Sequence, residues 1–273
     1  MRCFYSLFFF SLIGCGSAVF AADSPLDSNI TAREIVSKCN YKTPGSDQRS
    51  RLTIVLRDQD GKEHKNVYRR YWKDYQNQQN IADKMLLVTE YPPDAQGMAF
   101  MRWGYTPEAS QSAEQWIYLP VLNKIKRVSI QDLSESFLGS DLSFGDISLR
   151  RVDQDEHQLR TIQRSDSGEF FVIDSIPKDR DSQYSRKTQV FTRTKTWEQC
   201  VNVHIDYYDR RNELLKRQII RWQNIKGAWI WDQVLVSNYQ NYHSSIFSVD
   251  QVEVDIGIKD DLFTERTLRS VKN

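Results

Sequence analysis

The chain has little of what common catalytic and metal-binding sites require. Its 273 residues include four histidines and four cysteines. No CxxC, CxxH or HExxH motif places any of these at ligand spacing. No serine occupies a Gly-x-Ser-x-Gly motif, and no glycine-rich phosphate loop is present. The sequence therefore predicts no catalytic residue, no metal site and no cofactor, and we expect a protein that is not an enzyme.

Long apolar runs and an excess of one charge are also missing. Lys and Arg total 37 against 36 Asp and Glu, so net charge does not favour nucleic acid, and we predict no nucleic-acid partner. The apolar run over residues 3–13 is shorter than the roughly 20 residues that a transmembrane helix needs. Arg2 precedes this run and small residues follow it, which indicates a signal peptide over residues 1–22. We expect a secreted, periplasmic protein.

Two processing routes remain open. Val19-Phe20-Ala21 suits cleavage that releases a soluble protein. Leu12-Ile13-Gly14-Cys15 resembles a lipobox, and lipidation of Cys15 would anchor the protein on a membrane. The soluble form would act as a diffusing shuttle, whereas the anchored form would act as an acceptor on a membrane.

Two cysteines, Cys39 and Cys200, remain after removal of residues 1–22. An exported protein meets an oxidising compartment, so one disulfide is one interpretation, and two buried free thiols are the other. A bond would close a loop of about 160 residues and stabilise the fold by a few kcal/mol in the chain-entropy model.

The periodicity of strands dominates from residue 51 onward. Leu52, Ile54 and Leu56 alternate with Arg51, Thr53 and Arg57, as in a half-buried strand. Thr31 and Glu34 form a capping box, which predicts one helix before the first strand. Residues 260–265 predict a helical turn near the C-terminus. Further strand-like runs lie at residues 67–72, 85–89, 98–105, 115–119, 124–128, 157–163, 170–176, 187–194, 201–208, 214–222, 229–239 and 245–254. We predict a single mainly β domain over residues 23–273, built as a curved antiparallel sheet or barrel.

One segment without strand periodicity, residues 134–145, combines Ser and Gly with large apolar side chains. Loops rarely carry that many apolar groups unless they cover something. Either the loop plugs the open end of the sheet, or it is a mobile lid over an apolar cavity.

Several segments together resemble the outer-membrane lipoprotein-sorting protein family (LolA-like). They are residues 116–120, 124–128, 137–141 with Phe144, 207–209 followed by 213–216, and 261–266, and the hairpin around Asp60-Gly61. The similarity spans residues 32–268. It implies an incomplete antiparallel β-barrel (LolA/LolB-like), with short helices and a loop covering an apolar cavity. It also implies a periplasmic carrier that binds acyl chains of lipid or lipoprotein for transfer toward the outer membrane.

Strand alternation and the loop then give the expected lipid-binding residues. They are Leu52, Ile54, Leu56, Met98, Phe100, Trp116, Tyr118, Phe137, Leu138, Phe144, Val203 and Ile205. We expect most of them to face the concave side of the sheet. The alternative function is a docking module that carries nothing and partners an inner-membrane lipid exporter or an outer-membrane acceptor. A carrier needs an open apolar hollow, whereas a docking module would be packed solid.

Overall fold

The structure, a computed structural model, describes residues 30–40, 42, 44–109, 111–129, 133–148 and 150–270. The predicted signal peptide, with Cys15, lies outside these residues. The described chain forms helices α1 (Ala32–Asn40) and α2 (Glu265–Ser270). Its strands are β1 (Asp47–Arg57), β2 (Glu63–Asp74), β3 (Ile81–Tyr91), β4 (Ala99–Tyr105), β5 (Glu114–Leu119), β6 (Lys124–Arg127), β7 (Asp155–Ser165), β8 (Gly168–Pro177), β9 (Tyr184–Arg193), β10 (Val201–Asp209), β11 (Leu214–Ile225), β12 (Ala228–Asn238) and β13 (Ser244–Val254).

All of these strands belong to one antiparallel sheet, in the order β6-β5-β4-β3-β2-β1-β13-β12-β11-β10-β9-β8-β7. Most strands pair with their neighbours in sequence. The exceptions are β1 and β13, which pair at the centre of the sheet, and β6 and β7, which form its two edges. The predicted fold class is confirmed, as a mainly β protein whose antiparallel sheet stays open instead of closing into a barrel.

The sheet curves strongly across its width. Neighbouring strands lie about 4.8 Å apart, so β4 and β11 would be about 29 Å apart on a flat sheet. Yet Arg102 of β4 and Trp222 of β11 line one cavity. Buried apolar residues of β1, β4 and β11–β13 also belong to one hydrophobic cluster on the concave face.

The convex face of β3–β5 carries a second hydrophobic cluster. Leu86, Val88 and Met101 are fully buried there under Phe263 and Leu268 of the C-terminal segment. A buried carboxylate fixes the chain that leads to this segment, because Asp47 accepts hydrogen bonds from the backbone N–H groups of residues 256–258 at 2.8–3.0 Å. These strands are consequently covered on both faces.

Helix α1 begins with the predicted capping box. Thr31 N donates to Glu34 Oε2 at 2.8 Å, and Glu34 N donates to Thr31 Oγ1 at 3.2 Å. The helix packs against β7 and β10, and a disulfide joins Cys39 to Cys200 with an S–S distance of 1.98 Å. Neither helix in the described part of the chain is long and apolar enough to cross a bilayer.

Candidate binding cavity

An apolar cavity of about 240 Å³ lies on the concave face, where the two halves of the sheet approach each other. Strands β1–β4 and β13 supply one wall, and the β11–β12 hairpin supplies the other. The described lining is mostly apolar and contains four tryptophans. Its apolar side chains are Pro44, Leu52, Trp72, Met85, Leu87, Phe137, Ile147, Trp222, Trp229, Ile230, Trp231, Phe247 and Val249.

The loop between β6 and β7 reaches the cavity because of the strand order. These two strands are consecutive in sequence but form opposite edges of the sheet, so their connection must cross from one edge to the other. Phe137 and Phe144 of this connection are buried. Their rings pack against Phe100 of β4, with centroids 5.1 Å and 6.0 Å from it and 5.7 Å from each other.

The tip of the loop has a left-handed backbone. Leu138 has φ 53° and Gly139 has φ 80°. A Cβ on Gly139 would lie 3.3 Å from Leu56 Cδ1, so glycine suits both the conformation and the close approach to β1. This turn directs the Phe137 ring into the cavity.

Polar contacts fasten the loop to the second half of the sheet. Lys216 Nζ of β11 donates to the Asp141 carbonyl at 2.6 Å and to Asp146 Oδ2 at 2.7 Å. Asp141 Oδ2 accepts from Ser245 Oγ at 2.5 Å and lies 2.7 Å from His243 Nδ1. Apolar burial and charged hydrogen bonds therefore hold the loop against the sheet.

Asp146 is the buried charge at the centre of this attachment. Burial alone would raise the pKa of its carboxyl, but Lys216 and Lys187, with a backbone hydrogen bond from Ser143, lower that pKa to about 2. Tyr184 Oη donates to the same carboxylate at 2.8 Å. The anchor is ionised at neutral pH.

Two arginines interrupt the apolar lining. Arg70 Nη1 of β2 donates to Gln48 Oε1 at 2.8 Å, and the Gln48 amide donates in turn to the Pro44 carbonyl. Arg102 of β4 pairs with Asp83 of β3. Burial and the charge of Arg102 lower the pKa of Arg70 to about 10, against the opposing effect of Asp83. The Arg70 guanidinium remains cationic at neutral pH.

Most of the residues predicted from the sequence lie around this cavity. Leu52 and Phe137 line it directly. The cluster that surrounds it contains further predicted residues, namely Ile54, Leu56, Phe100, Leu138, Phe144 and Ile205.

Four predicted residues lie elsewhere. Trp116 and Tyr118 belong to the convex cluster with Phe263, so the register predicted for β5 was wrong. Ile117 of that strand contacts the concave cluster instead. Met98 precedes β4 outside the cavity lining, and Val203 falls at an irregularity in the pairing of β10 with β9, between Asn202 and His204.

The sequence interpretation missed the cavity's arginines and its tryptophans on β11 and β12. A signal for the arginines exists, since Arg70 is in phase with Tyr68 and Trp72, and Arg102 is in phase with Phe100. A charged residue at a position where alternation predicts an inward side chain marks a place where charge is buried.

A family model with the description "Uncharacterized protein" matches residues 82–270, more than half of the chain. The chain belongs to this family. A search of curated proteins found no match. The resemblance expected from the sequence is confirmed, because solved structures of lipoprotein-sorting and LolA superfamily proteins share the fold of this family member.

Three solved structures illustrate that similarity. A DUF1329 family protein from Desulfovibrio piger has a TM-score of 0.77 at 24% identity, over 87% of this chain and 97% of that one. A putative outer-membrane lipoprotein-sorting protein domain from Vibrio parahaemolyticus has a TM-score of 0.72 at 22% identity, over 87% and 96%. A LolA superfamily protein from Nitrosomonas europaea has a TM-score of 0.63 at 18% identity, over 87% and 99%. At these identities the similarity establishes the fold.

Proposed function

We propose that this protein is a periplasmic carrier that binds the acyl chains of lipid or lipoprotein for transfer toward the outer membrane. The observation that carries the proposal is the tryptophan-rich cavity, with a phenylalanine of a crossing loop in its wall. The fold shared with a lipoprotein-sorting protein domain and a LolA superfamily protein supports it.

The size of the cavity fits a carrier that opens in order to load. Pockets for drug-sized ligands measure about 300–1,000 Å³, so the closed cavity of about 240 Å³ takes a segment of an acyl chain. Withdrawal of Phe137 would extend it. Each buried CH₂ contributes about 0.8 kcal/mol, so a long chain supplies on the order of 10 kcal/mol before losses. Loading replaces the contacts of the Phe137 ring with contacts of the acyl chain. The loss of the ring contacts offsets part of the free energy gained from the acyl chain, so the net affinity stays moderate and the cargo can be transferred.

The test is to identify what the mature protein carries. The protein is purified from the periplasm without detergent and extracted with organic solvent, and the extract is analysed by mass spectrometry. A secreted β protein of similar size, processed identically, is the control. We expect a stoichiometric acyl-containing species in this protein alone. An extract indistinguishable from the control, together with no binding of a fluorescent fatty-acid probe, would contradict the proposal.

One observation favours the alternative, a docking module. Val121 and Leu122, in the turn between β5 and β6, are 88% and 59% exposed. Exposed apolar side chains at the edge of a sheet suit contact with a membrane exporter or an acceptor protein. The Val121→Asp, Leu122→Asp double variant separates the two functions. A carrier that docks through this turn keeps its affinity for the probe and loses transfer to acceptor membranes, whereas a pure docking module binds no probe before or after the change.

A further inference from the structure

The cavity contains a charge that its own residues leave incompletely paired. Arg102 is 6% exposed, and one of its terminal nitrogens, Nη2, donates to Asp83. Its Nε and Nη1 are buried and have no hydrogen-bond partner among the described residues. An unpaired buried donor destabilises the fold, and more so when it is charged. A guanidinium left in this state is a ready donor for an acceptor brought by a ligand.

Arg102 also borders a second hollow, a polar cleft of about 350 Å³. Arg150 and Arg151 lie in its wall, together with amide and hydroxyl side chains such as Gln111 and Ser112. Asp155 and Asp153 pair with these two arginines from outside the lining, in which no carboxylate of the described residues takes part. Arg102 thus stands at the boundary between an apolar cavity rich in tryptophan and a cleft rich in arginine.

Gly104 makes room for this arrangement. A Cβ at residue 104 would lie 2.9 Å from Asp83 Oδ2, closer than real Cβ contacts, and 3.2 Å from Arg102 Nη1, tighter than most of them. The absence of a side chain at residue 104 therefore leaves space for the ion pair in this arrangement.

The local charge balance favours an anion. The lining of the apolar cavity carries two cations, Arg70 and Arg102, and the nearby carboxylate of Asp83 compensates one of them. Carboxylate and phosphate groups accept paired hydrogen bonds from guanidinium groups, and these are among the strongest that proteins make. A neutral apolar ligand would leave the donors of Arg102 unsatisfied.

We propose that the ligand is an anionic amphiphile whose carboxylate or phosphate group binds Arg102, with its acyl chain among the tryptophans of the cavity. This inference rests on the proposed carrier function and specifies its substrate class. Arg70 adds positive charge from the cavity side, whereas Arg150 on the cleft side is paired with Asp155. A carboxylate of a fatty acid and a phosphate of a phospholipid share this chemistry.

The experiment compares three ligands with the same 16-carbon chain by displacement of a fluorescent fatty-acid probe. They are hexadecanoate, the corresponding lysophosphatidate and the uncharged hexadecanol, each presented below its micelle concentration. One paired hydrogen bond to a charged group corresponds to about a 10- to 100-fold change in affinity. We expect wild-type protein to bind at least one anion at least tenfold more tightly than the alcohol, and the preferred anion identifies the source of the acidic group.

Variants then assign that preference to Arg102. The double variant Arg102→Gln, Asp83→Asn removes both charges of the pair and leaves no unpaired carboxylate. We expect it to lose the tenfold preference and to bind hexadecanol within twofold of wild type. The matched control is Arg193→Gln, which removes another mostly buried arginine, paired with Glu169 outside the cavity, and should preserve the preference.

The outcomes separate this inference from the carrier function. If wild-type protein binds anions and alcohol equally, the assignment of an anionic ligand is wrong and the carrier stands. If wild-type protein prefers an anion and the double variant keeps the full preference, the assignment of the acidic group to Arg102 is wrong. If wild-type protein binds none of the three ligands, both proposals fail. The comparison on wild-type protein decides the ligand class even if the double variant does not fold.

Discussion

The closed loop makes one prediction that can be worked through quantitatively, for the variant Phe137→Ala. The Phe137 ring is 3% exposed and packs against Phe100 and Phe144. If an acyl chain must displace this ring, the free energy of its burial opposes loading. Full burial of such a side chain contributes roughly 1.5–3 kcal/mol.

Truncation of the ring removes that opposition. Apparent affinity depends on the fraction of protein in the open state, so 1.5–3 kcal/mol corresponds to roughly a 10- to 150-fold tighter binding of a fluorescent fatty-acid probe. The gain in affinity should stay below the upper end of this range, because Lys216 still holds the loop through Asp141 and Asp146. We expect an increase in affinity near the lower end, measured by fluorescence titration.

The matched control is Phe263→Ala. Phe263 is fully buried, but it lies on the convex face among Leu86, Met101 and Leu268. Its truncation should cost about 3–5 kcal/mol of folding stability in urea and leave probe affinity unchanged. A folded Phe137→Ala protein with wild-type affinity would show that the loop is a fixed plug. Weaker binding would show that the ring belongs to the binding surface and does not compete with the ligand.

Three further predictions concern the loop attachment and the disulfide. The folded-state pKa of Asp146 lies below its unfolded value, so its stabilising contribution is present above about pH 4 and is lost as the pH falls toward 2. Urea unfolding across this range should show a decline in the free energy of unfolding, and Asp146→Asn should flatten that decline. Lys216→Met removes a buried cation from the two acceptors that attach the loop. Protease cleavage within residues 134–145 should therefore accelerate at least tenfold. An unchanged rate would mean that apolar packing alone holds the loop. Protein without residues 1–22, denatured without reductant, should show no free thiol, and two titratable thiols would contradict the bond. The Cys39→Ser, Cys200→Ser variant should lose at most about 5 kcal/mol of folding stability.

Strand periodicity predicted the architecture well because neighbouring strands form hairpins. Leu52, Ile54 and Leu56 follow one another at every second position of β1, and they lie on the concave side as the pattern predicts. The same reasoning gave the wrong face for Trp116 and Tyr118. Phe263 and Leu268 cover the convex face of their strand, so both faces are apolar there and alternation cannot tell them apart.

The cavity itself required information that periodicity does not contain. Trp222 and Arg102 are 120 positions apart and meet because the sheet curves and the β11–β12 hairpin faces the strands of the first half. The donors that Arg102 leaves unpaired depend on where Asp83 and Gly104 lie beside it. Such juxtapositions follow from long-range pairing, which a single sequence does not specify.

The pairing of β1 with β13 also joins the first strand of the chain to the last. Ser46 and Asp255, which flank this pairing, are hydrogen-bonded across 209 positions of the chain. During synthesis from the N-terminus, strands β1–β6 are complete before β13 is made. The edge of β1 that pairs with β13 is unpaired until then. Unpaired edges invite aggregation, and charged side chains discourage it. Arg49, Arg51 and Arg57, all exposed on β1, are placed to protect that waiting edge.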